Sequence, residues 1–265
     1  MTPIPIDSPD DPRIAAYRDI RERDLAGRHG RFVAEGKVVL DVLFSARRFE
    51  ADSALILDAR MEGMAATLAK APAGMPVYVA PRVVLDAIAG FPMHRGVLAI
   101  GRRRAEESVA ELLAALPGRA LVVVLVGIAN HDSMGAIFRN AAAFGVDAVL
   151  CDETCCDPLY RKAIRVSVGA ALKVPFANAG SGKRMAEALT AEGFHQIALS
   201  PRGNIDIREL QRAERMALYL GTEGEGLPAA LMRKLTTVRI PIAEGFDSLN
   251  VATAAAVALH EVRNR

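Results

Sequence analysis

The sequence has no long hydrophobic run. Its longest apolar stretch, ALVVVLVGIA over Ala120–Ala129, falls well short of the ~20 residues that cross a bilayer and reads as a buried strand, so no membrane is expected. The first residues, MTPIPIDSPDD, are acidic and interrupted by proline. A secretory signal has a basic start and an apolar core instead, so a cytoplasmic protein is expected. Cysteine is scarce. Cys151, Cys155 and Cys156 have no second cluster to complete a zinc site, which predicts reduced, partly buried thiols and no metal. No neighbouring pattern marks Cys155 as an activated nucleophile. Charge of one sign is lacking too. The formal net charge is +2 over 265 residues, and neither half of the chain holds an excess, so only a local patch could serve a nucleic acid. Two sets of cations are candidates: Arg13, Arg18, Arg21, Arg23, Arg28 and Arg31, and then Arg102–Arg104. The first set alternates with Asp19, Glu22 and Asp24, the pattern of a solvated helix with internal ion pairs. Repeats and low-complexity tracts are absent.

Hydrophobic residues make up 51% of the chain, enough for a sizeable core. The first part alternates strands and helices. Strands are expected at Arg31–Ala34, Ala54–Leu57, Val77–Ala80 and Gly96–Ile100, and helices at Gly36–Ser45, Met61–Lys70 and Pro81–Ala89. This predicts a small α/β domain over 31–104, after an N-terminal extension of residues 1–30. Gly101-Arg-Arg-Arg-Ala-Glu-Glu reads as a linker, because charge replaces apolar periodicity there. The second part, 118–265, alternates again. Strands are expected at Leu121–Val126, Ala148–Cys151, Val174–Phe176, Gln196–Leu199, Ala217–Leu220 and Val238–Ile240. Helices are expected at Met134–Phe144 and Lys183–Thr190, from Pro228, and at Leu249–Val262. Val-, Leu- and Ile-rich strands separated by helices predict a parallel sheet covered on both faces. Such sheets bind ligands beyond the carboxyl ends of their strands, which directs attention to three loops.

The first is Asn130-His-Asp-Ser-Met-Gly-Ala-Ile-Phe-Arg-Asn. Asp132 or Ser133 is expected to cap the following helix. Arg139 lies beside the apolar face of Met134, Ile137, Phe138 and Ala141, with Gly135 and Ala143 four residues away on either side. Small neighbours admit a ligand to the guanidinium; a surface salt bridge is the competing reading. Consecutive His131-Asp132-Ser133 cannot adopt triad geometry. The second loop is Gly221-Thr-Glu-Gly-Glu-Gly-Leu-Pro. It permits close backbone approach to a ligand, but it is not a dinucleotide fingerprint. Glu223 and Glu225 would repel a pyrophosphate; a ligand bearing positive charge suits them, as does a plain helix start favoured by the dipole. The third runs from Ile240 to Ala256, IPIAEGFDSLNVATAAA. Ser248 is the expected N-cap. Asn250 is out of place within a first helical turn, and the alanines leave a thin wall for close packing.

In this order the three loops resemble the motifs of the SpoU (TrmH-type) RNA 2′-O-ribose methyltransferases of the SPOUT superfamily. Asn130–Ala141 resembles the first motif, Leu220–Leu227 the second and Ile240–Ala256 the third. Lys162-Ala-Ile-Arg-Val-Ser-Val-Gly-Ala, followed by Val174-Pro175, is similar to the segment between them. Phe32-Val-Ala-Glu-Gly-Lys and His94-Arg-Gly-Val-Leu-Ala are similar to the borders of the family's ribosomal-protein-like substrate-binding domain. The resemblance covers most of residues 31–265.

It implies a trefoil-knotted α/β methyltransferase domain over 118–265, preceded by that RNA-binding domain over 31–104. It implies S-adenosylmethionine held mainly by backbone at Leu199, Ser200, Leu220, Gly221, Ile240, Ile242 and Leu249, and a homodimer acting on tRNA or rRNA. Arg139 would promote loss of the ribose proton or stabilise the developing oxyanion. Ser248 and Asn250 would hold the ribose, and Glu223 would shape the loop or steer the arginine. Ser133, Arg139 and Arg165 would contact RNA. The family usually carries asparagine six residues before its arginine; this chain has Ser133 there. The alternatives are a non-catalytic RNA-binding or assembly factor with the same fold and a dinucleotide-dependent oxidoreductase.

Overall fold

The computed structural model describes residues 2–18, 30–90, 93, 95–105, 107–211, 213–222 and 224–263. By its internal contacts the chain divides into two units. One is Met1–Ala105 with Pro158–Lys173, the other Glu106–Asp157 with Val174–Arg265.

The first unit is built on β1 (Ile4–Pro5), β2 (Arg31–Glu35), β3 (Glu50–Leu57), β4 (Val77–Ala80) and β5 (Val97–Arg102). They form one mixed sheet in the order β1-β4-β3-β5-β2. β1, β4 and β3 run parallel, and β5 is antiparallel to both its neighbours. Helices α1 (Lys37–Ala46), α2 (Ala65–Leu68) and α3 (Arg82–Ala89) accompany the sheet. Pro81 sets the entry to α3, and Gly90, left-handed at φ 70°, ends it by donating to the Asp86 carbonyl, as a helix C-terminus favours.

Residues 2–18 are not an extension outside this unit. β1 is a strand of its sheet. Ile6, Ile14 and Tyr17 are buried in one cluster with Val33, Leu55 and Leu98, and the Tyr17 hydroxyl is 2.7 Å from Ser53 Oγ. The basic helix expected early in the chain falls largely on 19–29, outside the described residues. Its flanking members are engaged otherwise: Arg13 pairs with Asp11, and Arg31 with Asp52. The expected linker also begins later. Gly101 and Arg102 belong to β5, where a Cβ on Gly101 would stand 2.2 Å from Phe32 Cζ. The helix expected over Met61–Lys70 is a 3-10 turn, Asp58–Met64, followed by the single turn of α2.

The second unit contains α4 (Val109–Ala114), β6 (Ala120–Leu125), α5 (His131–Ala143) and β7 (Ala148–Cys151). Next in the chain, α6 (Arg161–Val166) belongs to the first unit. The second unit resumes with β8 (Phe176–Asn178), α7 (Gly182–Ala191), β9 (His195–Leu199), β10 (Ile205–Asp206) and β11 (Arg215–Leu220), and ends with α8 (Ala229–Met232), β12 (Thr236–Arg239) and α9 (Val251–Arg263).

The seven strands lie in the order β10-β12-β9-β11-β6-β7-β8. Every pairing is parallel, as the continuous apolar strands predict. All six residues of β6 are buried. One face packs Val122, Val124, Ala217 and Tyr219 against Leu112 and Leu113 of α4 and Met185 and Leu189 of α7. Elsewhere in the unit α5 packs on α9, and Phe138 meets Phe176 edge-on at 5.6 Å. Pro175, which has no N–H to give to a ladder, precedes β8, so that strand starts two residues later than expected. Among the described residues no helix is long and apolar enough to cross a membrane.

Candidate functional site

β9, β11 and β12 lie on one side of β6 in the parallel sheet, and the chain leaving their carboxyl ends forms one cavity of about 340 Å³. Its walls come from Leu199 and Ser200 after β9, from Leu220, Gly221 and Thr222 after β11, and from Ile240 and Ile242 after β12. Ser248–Val251 and Ala254 close it. Each segment is held by a local cause. Ser200 N–H donates to the Val238 carbonyl at 2.9 Å, which ties the end of β9 to β12. A Cβ on Gly221 would stand 2.4 Å from the Gly226 carbonyl carbon and from Leu227 N, so the returning loop fits only against glycine. Thr222 and Gly226 close that loop as a bridge, with Gly226 N–H donating to the Thr222 carbonyl at 3.1 Å.

The approach to α9 differs from the sequence expectation. Asn250, not Ser248, is the N-cap: its Oδ1 accepts from Ala252 N at 3.0 Å and Thr253 N at 3.3 Å. The helix starts two residues later than expected, and an asparagine that looked misplaced inside a turn is a regular cap. Residues 241–250 are exposed. Among the described residues, the backbone groups of 241–249 make no hydrogen bond within the protein. They are therefore available to a ligand at no cost in internal hydrogen bonds.

The seven residues expected to contact the cofactor, Leu199, Ser200, Leu220, Gly221, Ile240, Ile242 and Leu249, all line this cavity, together with Ser248 and Asn250. Glu223 lies outside the described residues. Arg139 is exposed on α5 and is not part of the wall. Its neighbour Asn140 donates through Nδ2 to the Ala252 carbonyl at 2.8 Å, which fastens α5 to the first turn of α9. Ser133 is buried in α5 and does not cap it; Asn130 does, accepting from Asp132 N and Ser133 N. Arg165, on α6, belongs to the first unit.

Pro201, Thr222, Gly224, Gly226, Val251 and Ala254 also line the cavity, beyond the residues expected there. The last two were within reach of the sequence: Val251 and Ala254 are three apart on one helix face.

The cavity's chemistry is selective. Among the described residues no Lys or Arg lines it, so a pyrophosphate would meet no counter-charge from them. Its aliphatic walls suit a flat apolar ring, and its strand ends and open loop offer backbone donors and acceptors for the polar edge. The volume is that of a small-molecule site. These features fit S-adenosylmethionine, which carries no phosphate.

The cysteines stand apart from this wall. Cys155 Sγ accepts from Ile128 N at 3.3 Å and lies 3.4 Å from the Leu125 carbonyl, a bracing position. Burial, with negative charge nearby, pushes the Cys156 thiol up to about 12.

Residues 120–260 match the model of the SpoU rRNA Methylase family. The chain is 43% identical over 262 residues to an uncharacterized tRNA/rRNA methyltransferase of Mycobacterium bovis, covering 96% of this chain and 89% of that protein. It is 32% identical over 201 residues to the 23S rRNA (guanosine-2′-O-)-methyltransferase RlmB of Bordetella pertussis, covering 73% of this chain and 80% of that protein. Among solved structures, an AdoMet-bound rRNA methyltransferase from Sinorhizobium meliloti superposes with a TM-score of 0.82. It is 24% identical, and the match covers 98% of this chain and 97% of that one; at that identity the likeness speaks for the fold.

Proposed function

The chain belongs to the SpoU rRNA Methylase family, and from that premise we propose that it transfers a methyl group from S-adenosylmethionine to a ribose 2′-hydroxyl of tRNA or rRNA. The RlmB relative carries that chemistry in its name. The observation that carries the reading is the cavity itself: three separate strand ends and the start of α9 converge on one largely apolar space that no described cation lines. A dinucleotide oxidoreductase would need a phosphate cradle there, and the wall offers none.

S-adenosylmethionine supplies an electrophilic methyl on a sulfonium centre when bound. Leu199, Ser200, Leu220, Gly221, Ile240, Ile242 and Leu249, which line the cavity, would hold it mainly through backbone groups. Ser248 Oγ and Asn250 orient the ribose. Asn250 Oδ1 also accepts from Ala252 N and Thr253 N as the cap of α9. Arg139 stabilises the negative charge that develops on the attacking oxygen. A guanidinium stays charged, so the proton leaves with the help of another group, for which an adjacent RNA phosphate is the assigned acceptor. Glu223 steers the arginine or shapes the loop.

The remaining parts follow. The second unit is the methyltransferase domain, and its returning loops thread the trefoil knot. The first unit, with residues 2–18 and 158–173 included, binds the RNA. Phe246 and Val257 are exposed large hydrophobics of the second unit outside the cavity wall, and a second copy of the chain covers them in a cytoplasmic homodimer. The deciding experiment incubates the protein with labelled S-adenosylmethionine and separated, unmodified tRNA and rRNA, then maps the methylated nucleoside. Label at a ribose 2′-oxygen is expected; S-adenosylmethionine binding without transfer to any RNA would sink the reading.

A further inference from the structure

The first unit has a second cavity, of about 560 Å³ and opposite electrical character. Among the described residues four cations line it, Lys37, Arg60, Arg95 and Arg165, and no carboxylate does. They come from four segments: the start of α1, the 3-10 turn after β3, the turn before β5, and α6. Among the described residues Lys37, Arg60 and Arg95 have no ion-pair partner. Arg165 has only a loose one, its Nη1 lying 3.9 Å from Glu35 Oε2. Glu35 is buried and is held more closely by Arg161, at 3.0 Å. That pair anchors α6 to the end of β2 and fixes the helix that carries Arg165.

Leaving like charges together without carboxylates costs the fold energy and gives it no internal return. Such an arrangement suits an anion supplied from outside. The backbone agrees. β2 passes into α1 through Gly36, at φ 102°, which offers no capping side chain. The first amides of α1 therefore open toward the cavity with positive partial charge. A Cβ at Gly36 would stand 3.1 Å from Arg95 Nη1, so the glycine is what lets that guanidinium lie over the helix start. Val38, exposed beside it, adds an apolar surface.

We propose that this cavity is the phosphate-binding anchor for the RNA substrate, with Arg60, Arg95 and Arg165 as its guanidinium contacts and Lys37 as a point charge. The inference rests on the reading of the chain as an RNA methyltransferase and gives it a site of substrate capture separate from the methyl-donor cavity. Phosphate contacts position an RNA without reading its bases, so the anchor supplies affinity and register, not sequence choice.

The test uses the full-length protein, a fluorescein-labelled RNA hairpin and an unmodified 23S rRNA transcript. Arg60→Ala with Arg95→Ala is expected to weaken RNA binding about tenfold per arginine, the factor that one charge-assisted hydrogen bond commands. The slope of log affinity against log salt should flatten by about one for each phosphate no longer neutralised. Affinity for S-adenosylmethionine, by calorimetry, should match wild type, which also certifies folding. Arg60→Lys with Arg95→Lys should restore most of the slope and part of the affinity. The charge-matched control removes Lys183 and Arg184, which are exposed on α7, as alanines. An Arg60/Arg95 double variant that binds RNA no more weakly than this control overturns the site. So does binding of ATP that the double variant abolishes while RNA affinity stays unchanged, because the cavity would then hold a free nucleotide. Methylation by wild type with RNA affinity indifferent to both arginines overturns the site alone. RNA binding that depends on them, with no methyl transfer to any RNA, upholds the site and overturns the function proposed above.

Discussion

The two units solve opposite ligand problems. The second gathers apolar strand ends and a loop rich in unpaired backbone groups into a cavity that no cation lines among the described residues. The first gathers four cations from scattered segments into a cavity that no described carboxylate lines. A chain of net charge +2 thus keeps its positive potential local. The lesson concerns net charge as a guide: balance over the whole sequence does not exclude a nucleic-acid partner when the cations converge in space. The proposed donor site is neutral-walled and the proposed phosphate site is salt-sensitive, so mutations should divide along the same line.

The largest expected effect breaks catalysis and leaves both cavities intact. Arg139→Ala should lower the methylation rate by about 10²–10³-fold, the scale of losing one preorganised donor to a developing oxyanion. S-adenosylmethionine affinity should be unchanged, because Arg139 does not line the cofactor cavity. Single-turnover rates with labelled donor, read beside calorimetry, check both halves. Methylation that survives the substitution removes Arg139 from the mechanism.

Next in size is a change that blocks one cavity and spares the other. Gly221→Val must move the backbone at Gly226 and Leu227, since even a Cβ would stand 2.4 Å away. Overpacking of this kind costs roughly 1–3 kcal/mol. Donor affinity should fall by about tenfold or more, while RNA affinity and its salt slope remain those of wild type. Equal loss of both affinities would show that the two cavities are not energetically separate.

How much of this was legible beforehand depended on whether the determining contacts were local. The continuous Val122-Val-Val-Leu run identified the buried centre of a parallel sheet, and the glycines after β11 marked a loop that lines the cavity. The capping box of α4, Ser108 with Glu111, is written in the sequence but obscured by the nearby charge, which has the look of a linker. Helices α5 and α9 both begin at an asparagine, Asn130 and Asn250, where Asp132, Ser133 or Ser248 was expected. Several polar residues in a row can cap, and only the backbone geometry chooses among them. Assignment of α6 to the first unit was out of reach, because an apolar pattern does not say which sheet it will cover. So was the cationic cavity: of its four members only Arg165 was expected to meet RNA, and Lys37, Arg60 and Arg95, far apart in sequence, each look like a solvated surface charge.

Asn250 yields a smaller, two-part expectation within the second unit. Asn250→Ala removes the cap of α9 and should cost about 1 kcal/mol of stability, read by denaturant titration. Asn250→Asp keeps an acceptor for the Ala252 and Thr253 amides and should hold stability near wild type. Both lack Nδ2, so both should lose methylation. An active Asn250→Asp variant would confine the residue to capping.

The smallest effect concerns alkaline pH and belongs to the second unit alone. Burial, then the neighbouring Cys155 and Asp157, raise the Cys156 thiol from 9.0 to about 12. Cys151 is raised as well, chiefly through its contact with Cys155 and then through burial. In the unfolded chain these thiols ionise near their ordinary value, while in the folded unit they stay protonated. The folded state therefore binds more protons above pH 9, and stability falls as pH rises through the window from about 9 to about 12. Below pH 9 both states are protonated and the contribution is fully present. Cys156→Ala should flatten the decline in Tm between pH 9 and 11, with a difference on the order of a few degrees. Cys151 and Cys156 should also resist iodoacetamide at pH 8 until the protein is unfolded, because the thiolate is the reactive form. Prompt alkylation of Cys156 in the native protein would mean that its thiol is not held up by burial.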